Sequence, residues 1–205
     1  MEIGKLILAT NNLHKVQEIE LILKDVPLKL LTIKDFPELL TMEIVEDGVT
    51  FEENAVKKAK EISEHFDLPA LADDSGLEIR ALDGAPGVCS SRYLGKDTPY
   101  EIKNIEIINK LSELKTKDRS ARFVCVAAIA WPDGQVKIFR GECVGEVAID
   151  QKGKEGFGYD PIFWLPEFGK TLAELSLAEK NSISHRGNCF QQVKEYLSAH
   201  TKKPD

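Results

Sequence analysis

The chain has 205 residues, 42% of them hydrophobic, and carries 34 acidic against 27 basic side chains for a formal net charge of −7. Such a length and composition suit one globular domain, taken as 1–205, with a substantial core. The acid excess argues against a nucleic-acid surface, which needs a basic patch, and no apolar stretch approaches a membrane span or a signal peptide's layout. The four cysteines lack C-x-x-C spacing and read as reduced thiols, so the expected location is cytoplasmic.

From Lys5 to Ala9 the run KLILA has the character of a strand buried on both faces, as in an α/β sheet. Thr10, Asn11 and Asn12 follow, and then Val16, Ile19, Ile22 and Leu23 mark one side of a helix. A strand–turn–helix junction points unsatisfied backbone N–H groups at an anion, and Asn11 or Asn12 suits the N-cap. Lys15 falls in the first turn, where its charge opposes the helix dipole. It is either an exposed lysine or the partner of a phosphate. Neither a Walker lysine motif nor GxGxxG is present. A second strand is expected over Leu28–Ile33, followed by a loop that contains Glu46. Thr50-Phe-Glu-Glu53 is a capping box opening a helix with apolar face Ala55, Val56, Ala59, Ile62 and Phe66.

The centre of the chain is Leu71–Tyr93, LADDSGLEIRALDGAPGVCSSRY. An apolar strand runs into Asp73 and Asp74, Ser75-Gly76 suggests a turn, and Leu77, Ile79 and Ala81 suggest a further strand. Neighbours on an extended segment point opposite ways, so the two acids cannot share one job unless the turn bends between them. Adjacent like charges are also driven towards protonation unless a cation is near. A hard divalent cation such as Mg²⁺ takes oxygen ligands; the other reading is a solvated turn.

Thr98-Pro-Tyr-Glu101 opens a third helix, with Ile102, Ile105, Ile108, Leu111 and Leu114 expected as its core stripe. Arg122–Trp131 reads as a long buried strand that Pro132-Asp-Gly134 turns into a hairpin with Gln135–Arg140. Gly141 and Gly145 then suggest bulges or close approaches. In KEGFGYDP, Lys154–Pro161, glycines permit close approach of backbone to a ligand and the aromatic could stack on a base. Two capping boxes, Thr171–Glu174 and Ser176–Glu179, precede a helix around Lys180, and Phe190, Val193 and Leu197 stripe a final helix. His185 and Arg186 at its start either face a site or punctuate the surface.

Five segments in order, TNNLHK, TFEENA, ADDSG with GAPGVCSSRY, KEGFGYDP and KNSISHRG, spread from about Leu6 to about Gln191. Together they resemble the ITPase-like non-canonical purine nucleoside triphosphate pyrophosphatases. The resemblance implies an α/β fold: a mixed elongated central sheet, flanking helices, and two lobes around a substrate cleft. It implies a homodimer and a Mg²⁺-dependent hydrolysis of ITP, dITP and XTP to the monophosphate and pyrophosphate. Carried over by position, Thr10, Asn11, Asn12, Leu13, His14 and Lys15 form the triphosphate-binding segment. Glu46 and Asp74 form the metal site, with Asp74 also the catalytic base. Ser75, Phe157, Gly158, Tyr159, Asp160, Lys180, His185 and Arg186 contact substrate, His185 and Arg186 being the expected donors to the purine six-carbonyl. Asn11 departs from the family, in which many members have glycine; asparagine tolerates the left-handed backbone that glycine adopts. The role of Asp73 stays open. Two rival functions are a different metal-dependent phosphohydrolase, set apart by its product, and a non-catalytic nucleotide-binding protein, against which Glu46, Asp74 and Lys15 speak.

Overall fold

The computed structural model describes residues 3–42, 44–115 and 117–201. Its strands are β1 (Lys5–Leu8), β2 (Lys29–Leu31), β3 (Ala70–Ile79), β4 (Ser120–Ala130), β5 (Val136–Val147), β6 (Phe163–Leu165) and β7 (Lys170–Thr171). They form one sheet in the order β2-β1-β3-β4-β5-β6-β7. β1 runs parallel to β2 and β3, whereas β6 is antiparallel to β5 and β7, so the sheet is mixed as expected. The helices are α1 (Leu13–Leu23), α2 (Phe51–Phe66), α3 (Tyr100–Glu113), α4 (Leu177–Ile183) and α5 (His185–His200). Among the described residues no helix is long and apolar enough to cross a membrane.

β3 corrects the reading of the central stretch. Its ten residues run without interruption through Asp73-Asp74-Ser75-Gly76, and no turn separates two strands. The strand lies between β1 and β4 in the sheet. β1 pairs with it at Ala70 and Leu71, and β4 is its hydrogen-bonded neighbour on the other side; cross-strand pairing outweighs the local turn preference of Ser-Gly. β2 is shorter than expected, and the hairpin return merges with the following extended chain into the twelve residues of β5. The close approach expected at Gly145 is present: a Cβ there would stand 2.5 Å from the Trp164 carbonyl oxygen.

By its internal contacts the chain divides into two units. Unit 1 comprises the described residues of Met1–Asp74, Cys125–Gly141 and Arg186–Asp205; unit 2 comprises those of Ser75–Val124 and Glu142–His185. In unit 1, Leu6 and Leu8 of β1 pack with Val16, Ile19 and Leu23 of α1 and with Phe190, Val193 and Leu197 of α5. These are the apolar stripes read from the sequence. Each such side chain stabilises the fold by about 1.5–3 kcal/mol relative to exposure.

In unit 2, Leu77, Ile79, Ile107, Leu111, Phe123 and Phe163 share a second core. The stripe expected on α3 is only partly buried there. Ile107 and Leu111 are inside together with Lys103 and Asn104, whereas Ile102, Ile105 and Leu114 are exposed. The reason is geometric. Every third residue falls about 60° short of a full turn, so five positions at that spacing wind around the helix and cannot share one face.

Candidate active site

At the β1–α1 junction of unit 1, Asn12 is the N-cap: its Oδ1 accepts from the backbone N–H of His14 at 3.0 Å and of Lys15 at 3.3 Å. Thr10 Oγ1 accepts in turn from Asn12 N–H at 3.2 Å. The cap thus occupies two first-turn N–H groups that the sequence offered to an anion. Asn11, Leu13 and His14 are exposed, and Thr10 is half-buried. Asn11 has no positive φ; outside glycine, the described residues that do are Asp67, Asp83, Leu94 and Lys115. The junction therefore does not require a left-handed backbone at that position.

The uninterrupted β3 sorts the two acids. Asp73 is buried, and its Oδ2 lies 2.9 Å from Lys15 Nζ, 3.4 Å from Arg186 Nη2 and 3.9 Å from the Cys125 thiol. Arg186, 2% exposed, also donates from Nη1 to Glu18 Oε2 at 2.7 Å. Burial pushes the Asp73 carboxyl up, but Lys15, Arg186 and Lys58 outweigh it and hold the group well below the usual carboxylate range. Burial likewise opposes the Arg186 charge, and Asp73 and Glu18 more than restore it.

Asp74 has different partners. Asn54 Nδ2 donates to its Oδ2 at 2.9 Å. Burial raises the Asp74 carboxyl above its ordinary value; Lys58 and Lys15 pull it down, while Glu46 pushes in the same direction as burial. Glu46 Oε1 lies 2.6 Å from Lys58 Nζ, which also donates to the Asp73 carbonyl at 2.6 Å. Burial opposes the Lys58 charge, and Asp74, Glu46 and Asp73 together keep it protonated beyond the ordinary lysine range. Asn54 and Lys58 are the participants that the sequence reading missed. Their signal was one turn of α2: an asparagine and a lysine four residues apart, beside the apolar Ala55 and Ala59.

In unit 2 the segment Phe157–Asp160 is fastened by its own acid. Asp160 Oδ2 accepts from the Phe157 N–H at 2.8 Å and from Lys180 Nζ at 2.5 Å. The Lys180 ammonium lies 4.8 Å from the Phe157 ring centroid, so one lysine holds both the carboxylate and the aromatic. Gly156 and Gly158 have φ of +72° and +69°, which side chains rarely adopt. Tyr159 is buried and donates its hydroxyl to the Ser90 carbonyl at 2.8 Å. His185 is also buried in unit 2, stacked on Phe123 with ring centroids 4.5 Å apart.

The residues expected to serve one site thus form two groups. Lys15, Glu46, Asp74 and Arg186 belong to unit 1, with Thr10–His14 at the junction beside Lys15. Phe157, Gly158, Tyr159, Asp160 and Lys180 cluster in unit 2, where half-buried Ser75 and His185 also lie. Neighbours in sequence, His185 and Arg186 have unlike surroundings: one ring on a phenyl face, one guanidinium between carboxylates. Arg186 as arranged is a buried counter-charge to Glu18 and Asp73.

Among the described residues no group of three or more His, Cys, Asp or Glu side chains is placed to hold a metal ion. Two carboxylates nevertheless suit Mg²⁺, which is bound through one or two of them and keeps much of its water. Glu46 and Asp74 provide that donor set, all oxygen, with the negative charge of each felt by Lys58.

A mixed sheet carrying a buried acid–lysine cluster and an Asp–Lys-fastened glycine segment defines an α/β protein. The chain belongs to the Ham1 family, whose profile matches residues 6–196. It is 45% identical over 193 residues to a dITP/XTP pyrophosphatase of Geobacter sulfurreducens, covering 94% of this chain and 96% of that protein. A dITP/XTP pyrophosphatase of Thermus thermophilus is 44% identical, with 93% and 90% covered. A HAM1 protein from Coxiella burnetii superposes with a TM-score of 0.88 at 41% identity, covering 96% of this chain and all of that one. The Staphylococcus aureus Ham1 protein gives 0.84 at 38% identity, with 95% and 98% covered.

Proposed function

We propose that the chain hydrolyses non-canonical purine nucleoside triphosphates, ITP, dITP and XTP, to the monophosphate and pyrophosphate in a Mg²⁺-dependent reaction. That it is a nucleoside triphosphate pyrophosphatase follows from its family and from relatives of that activity spanning nearly its whole length. The observation that carries the finer reading is the sorting of two adjacent carboxylates along β3. Asp73 is neutralised by Lys15 and Arg186, while Asp74 meets Asn54 and shares Lys58 with Glu46. In this reading Asp73 serves as a counter-charge and Asp74 serves the chemistry.

In this reading Glu46 and Asp74 hold Mg²⁺. The bound ion would neutralise phosphate charge and make water more acidic. Asp74 accepts the proton of the attacking water, and Asn54 fixes the carboxylate's orientation. Lys15 takes one of the roughly four negative charges of the triphosphate, with Thr10, Asn11, Asn12, Leu13 and His14 shaping the turn around it. Phe157, Gly158, Tyr159 and Asp160, with Lys180, receive base and sugar, and Ser75, His185 and Arg186 complete the substrate contacts.

The same reading makes residues 1–205 a single catalytic domain, supported by the unbroken family match, and places it in the cytoplasm. It also makes the protein a homodimer. The exposed Ile102 and Ile105 on α3 offer apolar surface for a second copy. Light scattering on the eluting protein tests that point. The activity is tested by a turnover panel of ITP, XTP, dITP, GTP and ATP with Mg²⁺, scoring pyrophosphate against orthophosphate. Release of orthophosphate, or equal turnover of ATP and ITP, would overturn the assignment.

A further inference from the structure

Helix α3 buries two polar side chains where amphipathic packing calls for apolar ones. Lys103 and Asn104 are each 1% exposed and belong to the same buried set as Ile107 and Leu111. Among the described residues no carboxylate pairs with Lys103. Its Nζ donates to the Ser91 carbonyl at 2.7 Å and lies 4.8 Å from the Tyr100 ring centroid. Asn104 Nδ2 donates to the Gly158 carbonyl at 3.2 Å and to Gln151 Oε1 at 3.1 Å. Its Oδ1 is buried with no hydrogen-bond partner among the described residues.

Burying an ammonium and an amide is costly, and a leucine or methionine would fill the same volume without that cost. What the two side chains achieve is to hold main-chain carbonyls. Asn104 grips the segment Phe157–Asp160 at Gly158. Lys103 grips Ser91, next to the Ser90 carbonyl that receives the Tyr159 hydroxyl at 2.8 Å. The Tyr100 ring adds an edge-on contact to Tyr159, centroids 5.1 Å apart. Gly156 and Gly158 are at positive φ and the segment lies outside any strand or α-helix, so donors from elsewhere add to the Asp160 contacts in setting its position.

We propose that Asn104 is a positioning residue for the base-binding segment, and that Lys103 braces it by holding the Ser90–Ser91 backbone to which Tyr159 is tied. Asn104 fixes where the Gly158 carbonyl stands, and so which purine edge the segment accepts. The inference rests on the reading of Phe157–Asp160 as the base segment.

Asn104→Leu keeps the volume and removes both donors. Pyrophosphate release from ITP and from GTP is measured at saturating Mg²⁺, together with inhibition by inorganic tripolyphosphate, a probe with phosphates and no base. The expected result is an increase of about tenfold in KM for ITP, the size of one lost hydrogen bond. With it come little change in kcat, unchanged tripolyphosphate inhibition and a smaller ITP-over-GTP preference. A folded variant with wild-type KM and preference overturns the proposal. So does equal weakening of ITP and tripolyphosphate, the sign of a general loosening. If Asn104→Leu does not fold, Lys103→Met carries the same readout, with Lys103→Arg restoring KM. Wild-type enzyme that releases no pyrophosphate from ITP or XTP brings down the base-segment reading and the inference with it; active wild type with an indifferent variant brings down the inference alone.

Discussion

Replacing Arg186 by methionine tests what its burial is for. The guanidinium lies 2.7 Å from Glu18 Oε2 and 3.4 Å from Asp73 Oδ2, and the side chains of all three residues are at most 3% exposed. Methionine fills much of the space but leaves two carboxylates inside unit 1 with one cation fewer. Breaking a buried pair from one side costs about 3–5 kcal/mol, a large share of the roughly 5–15 kcal/mol that holds an ordinary domain. With a urea slope of about 2–3 kcal/mol/M, the midpoint should fall by about 1–2.5 M.

The loss should depend on pH. In the wild type the folded pKa of Asp73 lies below its ordinary 3.8, so its contribution is complete above about pH 4 and is lost as pH falls further. In Arg186→Met burial gains on the remaining cations and the folded pKa rises. The variant's deficit is then greatest at pH 7 and shrinks towards pH 4.5, where the carboxyls can protonate. The assay is urea unfolding without metal or nucleotide at both pH values. Glu18→Gln added to Arg186→Met should recover part of the deficit, because it removes one of the stranded charges. An Arg186→Met midpoint within about 0.3 M of wild type at pH 7 would refute the buried-counter-charge argument. It would free the guanidinium for the base-reading role that the sequence suggested.

Asp74→Asn should lower turnover by about 10²–10⁴-fold and leave the circular dichroism unchanged, since an asparagine oxygen can still accept from Asn54; near-normal activity of the folded variant would remove Asp74 from the chemistry. Lys15→Ala should weaken ITP and XTP alike by about 1.5–3 kcal/mol in a nucleotide titration, and a change in base preference instead would place Lys15 at the wrong end of the substrate. Thiol labelling at pH 7.5 should find one fast cysteine: Cys89 is exposed, whereas Cys125, Cys143 and Cys189 are buried, and burial pushes Cys143 up to about 11. A second fast equivalent in native protein would contradict the packing of β4 and β5.

Much of the architecture could be read from local pattern. KLILA is a continuous apolar run and the α1 and α5 stripes are periodic, and their burial follows from those patterns alone. The errors fell where neighbours distant in sequence decide. Ser75-Gly76 looks like a turn until the strand that continues through it is placed in the sheet beside β4. The α3 stripe fails because residues three apart wind around the helix, and Lys103 and Asn104 share the buried face with Ile107 and Leu111. Glu46 and Asp74 could be proposed for the site from their position in motifs, whereas Lys58 could not. A lysine in a surface-like helix pattern shows its role only when the Asp73 carbonyl and Glu46 come within 2.6 Å of it.

The dipeptide Asp73-Asp74 shows how a continuous strand turns sequence adjacency into a division of labour. Had the chain bent at Ser75, both carboxylates could have converged on one ion, and each would have raised the other's affinity for protons. Kept straight by its neighbours, β3 sends consecutive side chains to opposite sides. Asp73 is taken up with Lys15 and Arg186, and that pairing keeps it ionised despite burial. Asp74 accepts from Asn54 and keeps a carboxyl raised by burial and by Glu46, which the Lys58 and Lys15 charges only partly offset. The lysine at the mouth of α1 and the acid beside it are therefore coupled through the strand. A substitution at Asp73 should alter how Lys15 meets phosphate while leaving the Asp74–Asn54 hydrogen bond in place.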